Sequence, residues 1–397
     1  MKALIIFKGP YPYGNVTTQR VHYICKGLTE NNINVEILIP IRTESAENIK
    51  NKHRSGIYDG VNFKYVPAST IRKNNLVIRQ IDKIYSYLKT FIIILVNKRK
   101  ADLITIIGPS MDFRIFIPFL CKFAKLKCII EINELPFVNN KPKILKSIKS
   151  FIFKKLILSK YDGIIVISNK LQSFAEKYKA CKTKIIKVPI LGAIEKFDEL
   201  RRPPIETPYI IHTGSLIENK DGIKGIIEAF KIALNKLNTP LKFVITGADK
   251  NNHKTFEIKE LIKQYNLEDD VIFTGYLDRK ELIRYLRFAN LAIINKQNNM
   301  QNLYCFPTKL ADYFFNKVPV IITRIGEASS YLTNGLNAYI IETSEPTKIA
   351  EKIVYALQNN DERIHIGNEG FMLASKEFNY KTHGKRIANF FSEIINN

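Results

Sequence analysis

The sequence predicts an α/β protein of two doubly wound domains, each a parallel sheet with helices on both faces. Three observations carry this. Short runs rich in Val and Ile alternate with longer amphipathic stretches along nearly the whole chain. Most of those runs are apolar throughout rather than alternating, as strands covered on both faces require. The alternation pauses once, over residues 188–208, where Pro189, Gly192, Pro203, Pro204 and Pro208 break the pattern. A chain of 397 residues has room for two domains of ordinary size.

Taken in order, strands are expected at 2–7, 34–39, 62–66, 102–107, 127–132 and 162–167. Helices are expected at 17–30, 76–98, 111–125 and 144–159. Alternation restarts with strands at 209–212, 241–246, 271–274, 291–295, 318–323 and 337–341. The helices between them fall at 222–235, 253–265, 278–287 and 308–316, and the tail is helical from 346. This divides the chain into a first domain at 1–190, a linker at 191–208 and a second domain at 209–375. A final helix at 376–397 is expected to pack back on the first domain.

Composition narrows the function. The formal charge is +24, and residues 1–200 hold 35 basic against 15 acidic side chains while 201–397 hold 26 against 22. The first half therefore seeks an anionic partner: nucleic acid, anionic lipid or a phosphorylated substrate. Cys25, Cys121, Cys128, Cys181 and Cys305 are scattered and form no C-x-x-C pair, which reads as reduced thiols in the cytoplasm and excludes a disulfide scaffold. The run from Met1 to Phe7 is too short for a signal peptide's apolar core, and no stretch approaches a membrane span. The six histidines show no metal-ligand spacing, and there is no Walker A loop, G-x-S-x-G elbow or Asp-x-Asp pair. No metal site and no cofactor are expected.

In open α/β sheets ligands sit beyond the carboxyl ends of the strands, so the loops after strands are the places to search. The loop 8–17 follows the first strand; Gly14 allows a close approach of backbone, and Asn15 stands at the helix start. The loop 213–222 contains Gly214, Ser215, Lys220 and a glycine at 222, and Lys220 is placed to meet a phosphate as a point charge. The segment 304–313 puts Thr308 at a helix start, with Lys309 beside it and Asp312 one turn on. There, open amides and an ammonium suit phosphate, and a carboxylate suits the diol of a ribose.

These pieces, in this order, resemble the nucleotide-sugar-binding half of glycosyltransferases of the GT-B fold, family 4 above all. The residues that carry the resemblance are Gly214-Ser215-Leu216, Lys220-Asp221-Gly222, Val244-Ile245-Thr246-Gly247, Phe273-Thr274-Gly275-Tyr276, Pro307-Thr308-Lys309-Leu310-Ala311-Asp312-Tyr313 and Pro319-Val320-Ile321. Together they span about residues 209–325. The sequence departs from the family where a second glutamate would precede Asp312: Tyr304 stands there. Ser215 replaces a frequent arginine. Glu131-Ile132-Asn133-Glu134 is similar to an Asp-x-His-Glu segment of the family, with Asn133 in place of the histidine and Glu134 as an acceptor-side carboxylate.

The resemblance implies two Rossmann-like domains facing across a cleft and a retaining, metal-independent transfer of a sugar from a nucleotide diphosphate donor, which is a substrate rather than a cofactor. Lys220 and Lys309 would stabilise the leaving diphosphate as the catalytic cations. Gly214, Ser215, Gly247 and Thr308 would line the donor, Asp312 would hold the ribose, and backbone near Tyr276 and Leu277 would read the base. Gly14, Asn15, Asn133 and Glu134 would meet the acceptor, a glycan or lipid-linked glycan in cell-surface polysaccharide synthesis. Two other classes fit parts of the sequence: a basic nucleic-acid-binding protein, which lacks any nucleic-acid motif, and a nucleotide-sugar-binding protein without activity. Finally, residues 72–100 and 141–160 are basic helical patterns, including Lys146, Lys149, Lys154 and Lys155. Their apolar stripes are expected to pack on the sheet and their lysines to face outward, toward the inner face of the cell membrane, where the protein would sit peripherally.

Overall fold

The computed structural model describes residues 1–96, 101–108, 111–135, 150–195, 197, 199–214, 216–247 and 253–396. The chain divides into two compact units: Met1–Leu191 with Tyr380–Asn397, and Gly192–Asn379.

The first unit is built on an eight-stranded sheet. Its strands are β1 (Lys2–Phe7), β2 (Asn34–Ile39), β3 (Ser55–Tyr58), β4 (Val61–Tyr65), β5 (Leu103–Ile107), β6 (Lys127–Ile132), β7 (Gly163–Val166) and β8 (Lys184–Lys187). They lie in the order β3-β4-β2-β1-β5-β6-β7-β8, and all pairings are parallel except the β3–β4 hairpin. The central strands are buried on both faces, as their unbroken apolar runs require. β3 and β8 were not among the expected strands: they are edge strands with partly or fully exposed residues, so neither carries a continuous apolar run. The C-terminal helix Tyr380–Ile395 packs against the helix Val16–Glu30. The two backbones approach so closely that a Cβ on Gly384 would stand 2.5 Å from the Cα of Gly27, and only glycine fits. The helix 144–159 of the sequence analysis lies in part outside the described residues; its second half is helical from 150.

The second unit carries a six-stranded sheet, parallel throughout. Its strands are β9 (Tyr209–Thr213), β10 (Lys242–Thr246), β11 (Val271–Gly275), β12 (Leu291–Ile294), β13 (Val320–Thr323) and β14 (Tyr339–Ile341). The order β11-β10-β9-β12-β13-β14 is that of a dinucleotide-binding sheet, and it reverses direction between β9 and β12. Helices Ile223–Lys236 and Pro346–Gln358 pack on one another, and the core beneath them joins Ile226, Phe230, Phe243, Ile245 and Ile293. Residues 192–208 belong to this unit: Arg287 donates to the carbonyls of Glu195 and Phe197, and Arg284 to those of Arg202 and Pro203.

Candidate functional site

The point where the strand order reverses is where an open sheet leaves a crevice for ligands. Here it lies beyond the ends of β9 and β12. β9 delivers His212 and then the loop through Gly214 to Asp221. β12 delivers Asn295 and Lys296. The helix Lys309–Phe315 brings Lys309 over the same end of the sheet.

That helix is tied down by Tyr313, whose buried hydroxyl accepts from the Thr213 amide at 3.0 Å and lies 3.0 Å from Thr213 Oγ1. With its helix fixed to the end of β9, Lys309 reaches back beneath Gly214. The Cβ of any other residue there would stand 3.3 Å from Lys309 Nζ, and φ of +115° at Gly214 further reserves the position for glycine. The next strand repeats the device: Gly214 N–H donates to Thr246 O at 3.1 Å, and Gly247 N–H to Gly275 O at 2.7 Å. A Cβ at Gly247 would in turn stand 3.3 Å from Gly214 O, so the two glycine turns pack on one another at the strand ends.

Four charged or titratable groups meet under this roof. Lys309 Nζ donates to Asp221 Oδ1 at 3.0 Å, and Lys296 Nζ donates to the same oxygen at 2.8 Å. Lys296 Nζ also donates to the carbonyl of Lys220 at 2.8 Å, which fixes the backbone that carries the Lys220 side chain. His212 Nδ1 lies 3.1 Å from Ile293 O, and its Nε2 lies 3.4 Å from Lys309 Nζ. A neutral ring that donates from Nδ1 to the carbonyl leaves Nε2 as an acceptor for the ammonium.

The electrostatics follow from burial. Burial pushes Lys309 down to about 8 and Asp221 pulls the other way, while Lys296 and Lys220 add like charge. Burial and the neighbouring Lys309 hold His212 at about 3, so the ring is neutral at ordinary pH. Burial by itself would raise Asp221, but Lys309 and Lys296 hold its carboxyl well below the usual carboxylate range. Two ammonium groups against one carboxylate leave a net positive charge on the buried cluster, with Lys220 half-buried beside it. Such a site is preorganised for a polyanion.

The other expected donor residues are placed as follows. Thr308 does not cap its helix: its backbone is already helical and its side chain makes no capping bond. The amides of Leu310 and Ala311 donate to the carbonyls of Pro307 and Thr308. The open helix start read from the sequence is thus corrected, and cationic side chains rather than amides dominate here. Asp312 Oδ1 accepts from Arg279 NH2 at 2.8 Å, and that guanidinium is also bonded to Glu195. Arg279 opens the helix after β11, close in sequence to Tyr276, which is exposed, and Leu277, which is half-buried. Ser215 lies outside the described residues.

In the first unit, Asn15 is an N-cap: its side chain accepts from the amides of Thr17 and Thr18 at 3.0 and 3.4 Å. Gly14 is tight against Thr18 Oγ1 and Pro10, and Thr18 Oγ1 donates to Pro10 O. Both residues thus hold the loop in shape, and an acceptor contact from the Asn15 side chain would compete with the cap. Asn133 Nδ2 donates to Glu131 Oε2 at 3.1 Å, and buried Arg20 donates to Glu131 Oε1 at 2.7 Å and to the carbonyls of Val188 and Pro189. Glu134 is exposed.

Sequence reasoning missed Lys296, gave Asp221 no role beyond its turn, and passed over Arg279. It read His212 as a satisfied interior residue. The ring is fully buried, as that reading has it, yet it also touches Lys309.

Comparison with known proteins bears on this site. The family model for glycosyl transferases group 1 matches residues 194–371. An uncharacterized glycosyltransferase of Methanocaldococcus jannaschii is 22% identical over 300 residues, 71% of this chain and 72% of that protein. The capsular polysaccharide biosynthesis glycosyltransferase CapM of Staphylococcus aureus is 24% identical over 319 residues, 76% of this chain and 72% of that protein. Among solved structures, sucrose-phosphate synthase from Thermosynechococcus elongatus superposes with a TM-score of 0.74 at 13% identity, covering 99% of this chain and 98% of that one. Anabaena HepE in complex with UDP-glucose superposes with a TM-score of 0.72 at 13% identity, covering 99% and 100%. At such identities the solved structures speak for the fold alone.

Proposed function

We infer the reaction from one premise: the chain is a glycosyltransferase of the GT-B fold, whose second unit carries the group 1 glycosyl transferase domain. It uses a nucleotide-sugar donor. On this reading the donor diphosphate lies against Lys220 and Lys309, and the sugar passes to a hydroxyl of a glycan or lipid-linked acceptor. The observation that supports it is the buried Asp221–Lys296–Lys309 cluster at the crevice where the sheet order reverses.

The chemistry follows from where charge develops. As the glycosidic bond to the donor breaks, negative charge grows on the departing diphosphate. Fixed ammonium groups stabilise that charge without reorganising, and burial strengthens their effect. Lys309 meets the phosphates and stays charged because Asp221 lies beside it. Lys220 adds a second cation, its backbone held by Lys296. The cations suffice in principle without a metal, and retention of the anomeric configuration is carried over from the family resemblance. Asp312 remains our candidate for the ribose, with Arg279 orienting its carboxylate, and the base would lie near Tyr276 and Leu277. HepE is bound to UDP and to UDP-glucose, which makes a uridine donor the first to try.

Asn133 and Glu134 remain candidates for acceptor recognition. The capsular relative favours a role in cell-surface polysaccharide synthesis, at the cytoplasmic face of the membrane. A panel of nucleotide sugars read by thermal shift tests the donor, since a ligand bound to the folded state raises its melting temperature by mass action. A donor that shifts wild type but not Lys309→Ala supports the reading; equal shifts in both overturn it.

A further inference from the structure

The helix Leu76–Val96 faces the wrong way for a helix that covers a sheet. Its buried residues are Ser86, Thr90 and Ile94, spaced by four. Thr90 meets its own hydrogen-bonding need by donating to Ser86 O at 2.7 Å. Most of its other aliphatic residues point outward. Ile81, Ile84, Tyr85, Leu88, Ile92 and Val96 follow the i, i+3, i+4, i+7 rule and occupy one continuous face, and each is more than half exposed. The expectation that this stripe packs on the sheet is therefore overturned.

The neighbouring helix adds to it. Tyr87 and Phe91 pack on Phe113 of the helix Met111–Ala124, with ring centroids at 4.4 and 6.4 Å. That second helix exposes Phe116, Phe119 and Phe123, the last at 81%. Apolar surface on this scale is rare on a protein that meets only water.

The charges around the two helices say what covers it. Arg72, Lys73, Arg79, Lys89, Lys122 and Lys125 are all exposed along these segments. The acidic side chain described there, Asp82, is held by Arg42 at 2.6 and 2.8 Å. Lys89 lies 5.8 Å from the Tyr85 ring centroid, and Lys160 lies 6.0 Å from that of Phe119. An apolar face rimmed by cations and aromatics matches the boundary between anionic headgroups and acyl chains. A second copy of the chain would instead bring the same strongly basic half against itself. No described helix is long and apolar enough to cross a membrane, so the fit is to a helix lying in the interface.

We propose that the helices Leu76–Val96 and Met111–Ala124 insert their outer faces into the interface of an anionic bilayer. This rests on the reading that the acceptor lies at a membrane, and it adds the contact that holds the enzyme there. The contact differs in kind from adsorption through lysines alone; of the lysines invoked for that in the sequence analysis, Lys146 and Lys149 lie outside the described residues.

The chain contains no tryptophan, so Leu88→Trp gives a single reporter in it. With vesicles of phosphatidylcholine and phosphatidylglycerol, its emission should shift to the blue and be quenched by lipids brominated on their acyl chains. Ile84→Gln/Leu88→Gln/Ile92→Gln should lower partitioning roughly 100-fold, since three exposed aliphatic side chains lose their burial. Its circular dichroism, and its transfer to a water-soluble acceptor analogue, should stay at wild-type level. Emission unchanged by lipid, or a triple variant that binds as wild type does and leaves the vesicles in high salt, overturns insertion and leaves charge alone at work. A blue shift that grows with protein concentration before lipid is added overturns the lipid as partner in favour of self-association. Absence of binding to any vesicle, with transfer to the soluble acceptor intact, overturns both the insertion and the membrane-proximal acceptor while sparing the transferase.

Discussion

Replacing Asp221 by asparagine removes one charge and leaves the shape. In the protein that carboxylate lies 3.0 Å from Lys309 Nζ and 2.8 Å from Lys296 Nζ. At 3 Å and an effective dielectric near 20, one such attraction is worth roughly 5 kcal/mol. Breaking a buried pair by removing one partner costs about 3–5 kcal/mol in practice. Lys309 has a way out of that penalty. Its affinity for a proton is already pushed down to about 8, so without Asp221 it becomes neutral at ordinary pH. The variant should therefore fold, with modest loss of stability, and lose the charge that the proposed site would offer a phosphate. The assay is kcat/KM for donor against pH. In wild type it should fall as pH rises through about 8, where Lys309 gives up its proton. In Asp221→Asn the break should move down by about one unit or more, with activity partly recovered in mild acid. A break that stays in place, or moves up, would refute the placing of Lys309 on the diphosphate.

Lys296→Gln should move the same break upward, because Lys296 adds like charge to Lys309, while kcat/KM also falls as the Lys220 backbone loses its anchor; the pH profile reads both. Lys220→Ala should cost about 2 kcal/mol of transition-state stabilisation, roughly thirtyfold in kcat/KM, in a protein that melts as wild type does. His212 is held at about 3 where an unfolded histidine takes its proton at about 6.5. The unfolded state binds that extra proton between those values. Stability of the second unit should thus decline by about 1.4 kcal/mol per pH unit on acidification through this window, and His212→Gln should flatten the slope in calorimetry. Gly384→Ala sets a methyl 2.5 Å from the Gly27 Cα. It should destabilise the first unit by about 1–3 kcal/mol and leave donor binding untouched, which separate melting of the two units would show.

The second unit was the more legible. Its strands are short, continuous apolar runs, and each was placed to within two residues because burial on both faces leaves no other pattern. β3 and β8 escaped since edge strands mix exposed polar residues with apolar ones. The helix Leu76–Val96 shows a different limit. Its amphipathic period is plain in the sequence, but a period does not say which face turns inward, and here Ser86 and Thr90 do. Lys220 and Lys309 were singled out from the sequence because each sits beside a glycine turn or a helix start. Lys296 and Asp221 were not, because nothing local marks a lysine after a strand or an aspartate in a turn as buried. Only the convergence of β9, β12 and the helix Lys309–Phe315 shows that they share a bond. Thr308 was misread for a related reason: a turn closed by the Leu310 amide on the Pro307 carbonyl leads into the helix, so Thr308 has helical backbone instead of the extended geometry of a cap.

The central claim is that lysines of the second unit bind a diphosphate. Titration calorimetry of the full chain with a nucleoside diphosphate and the matching monophosphate tests it most directly. The diphosphate should bind at least about tenfold more tightly, its affinity should fall with added salt, and chelator should not change it. Lys309→Ala should bring the two nucleotides together. Equal affinities in wild type, or a preference that survives in Lys309→Ala, would contradict the claim.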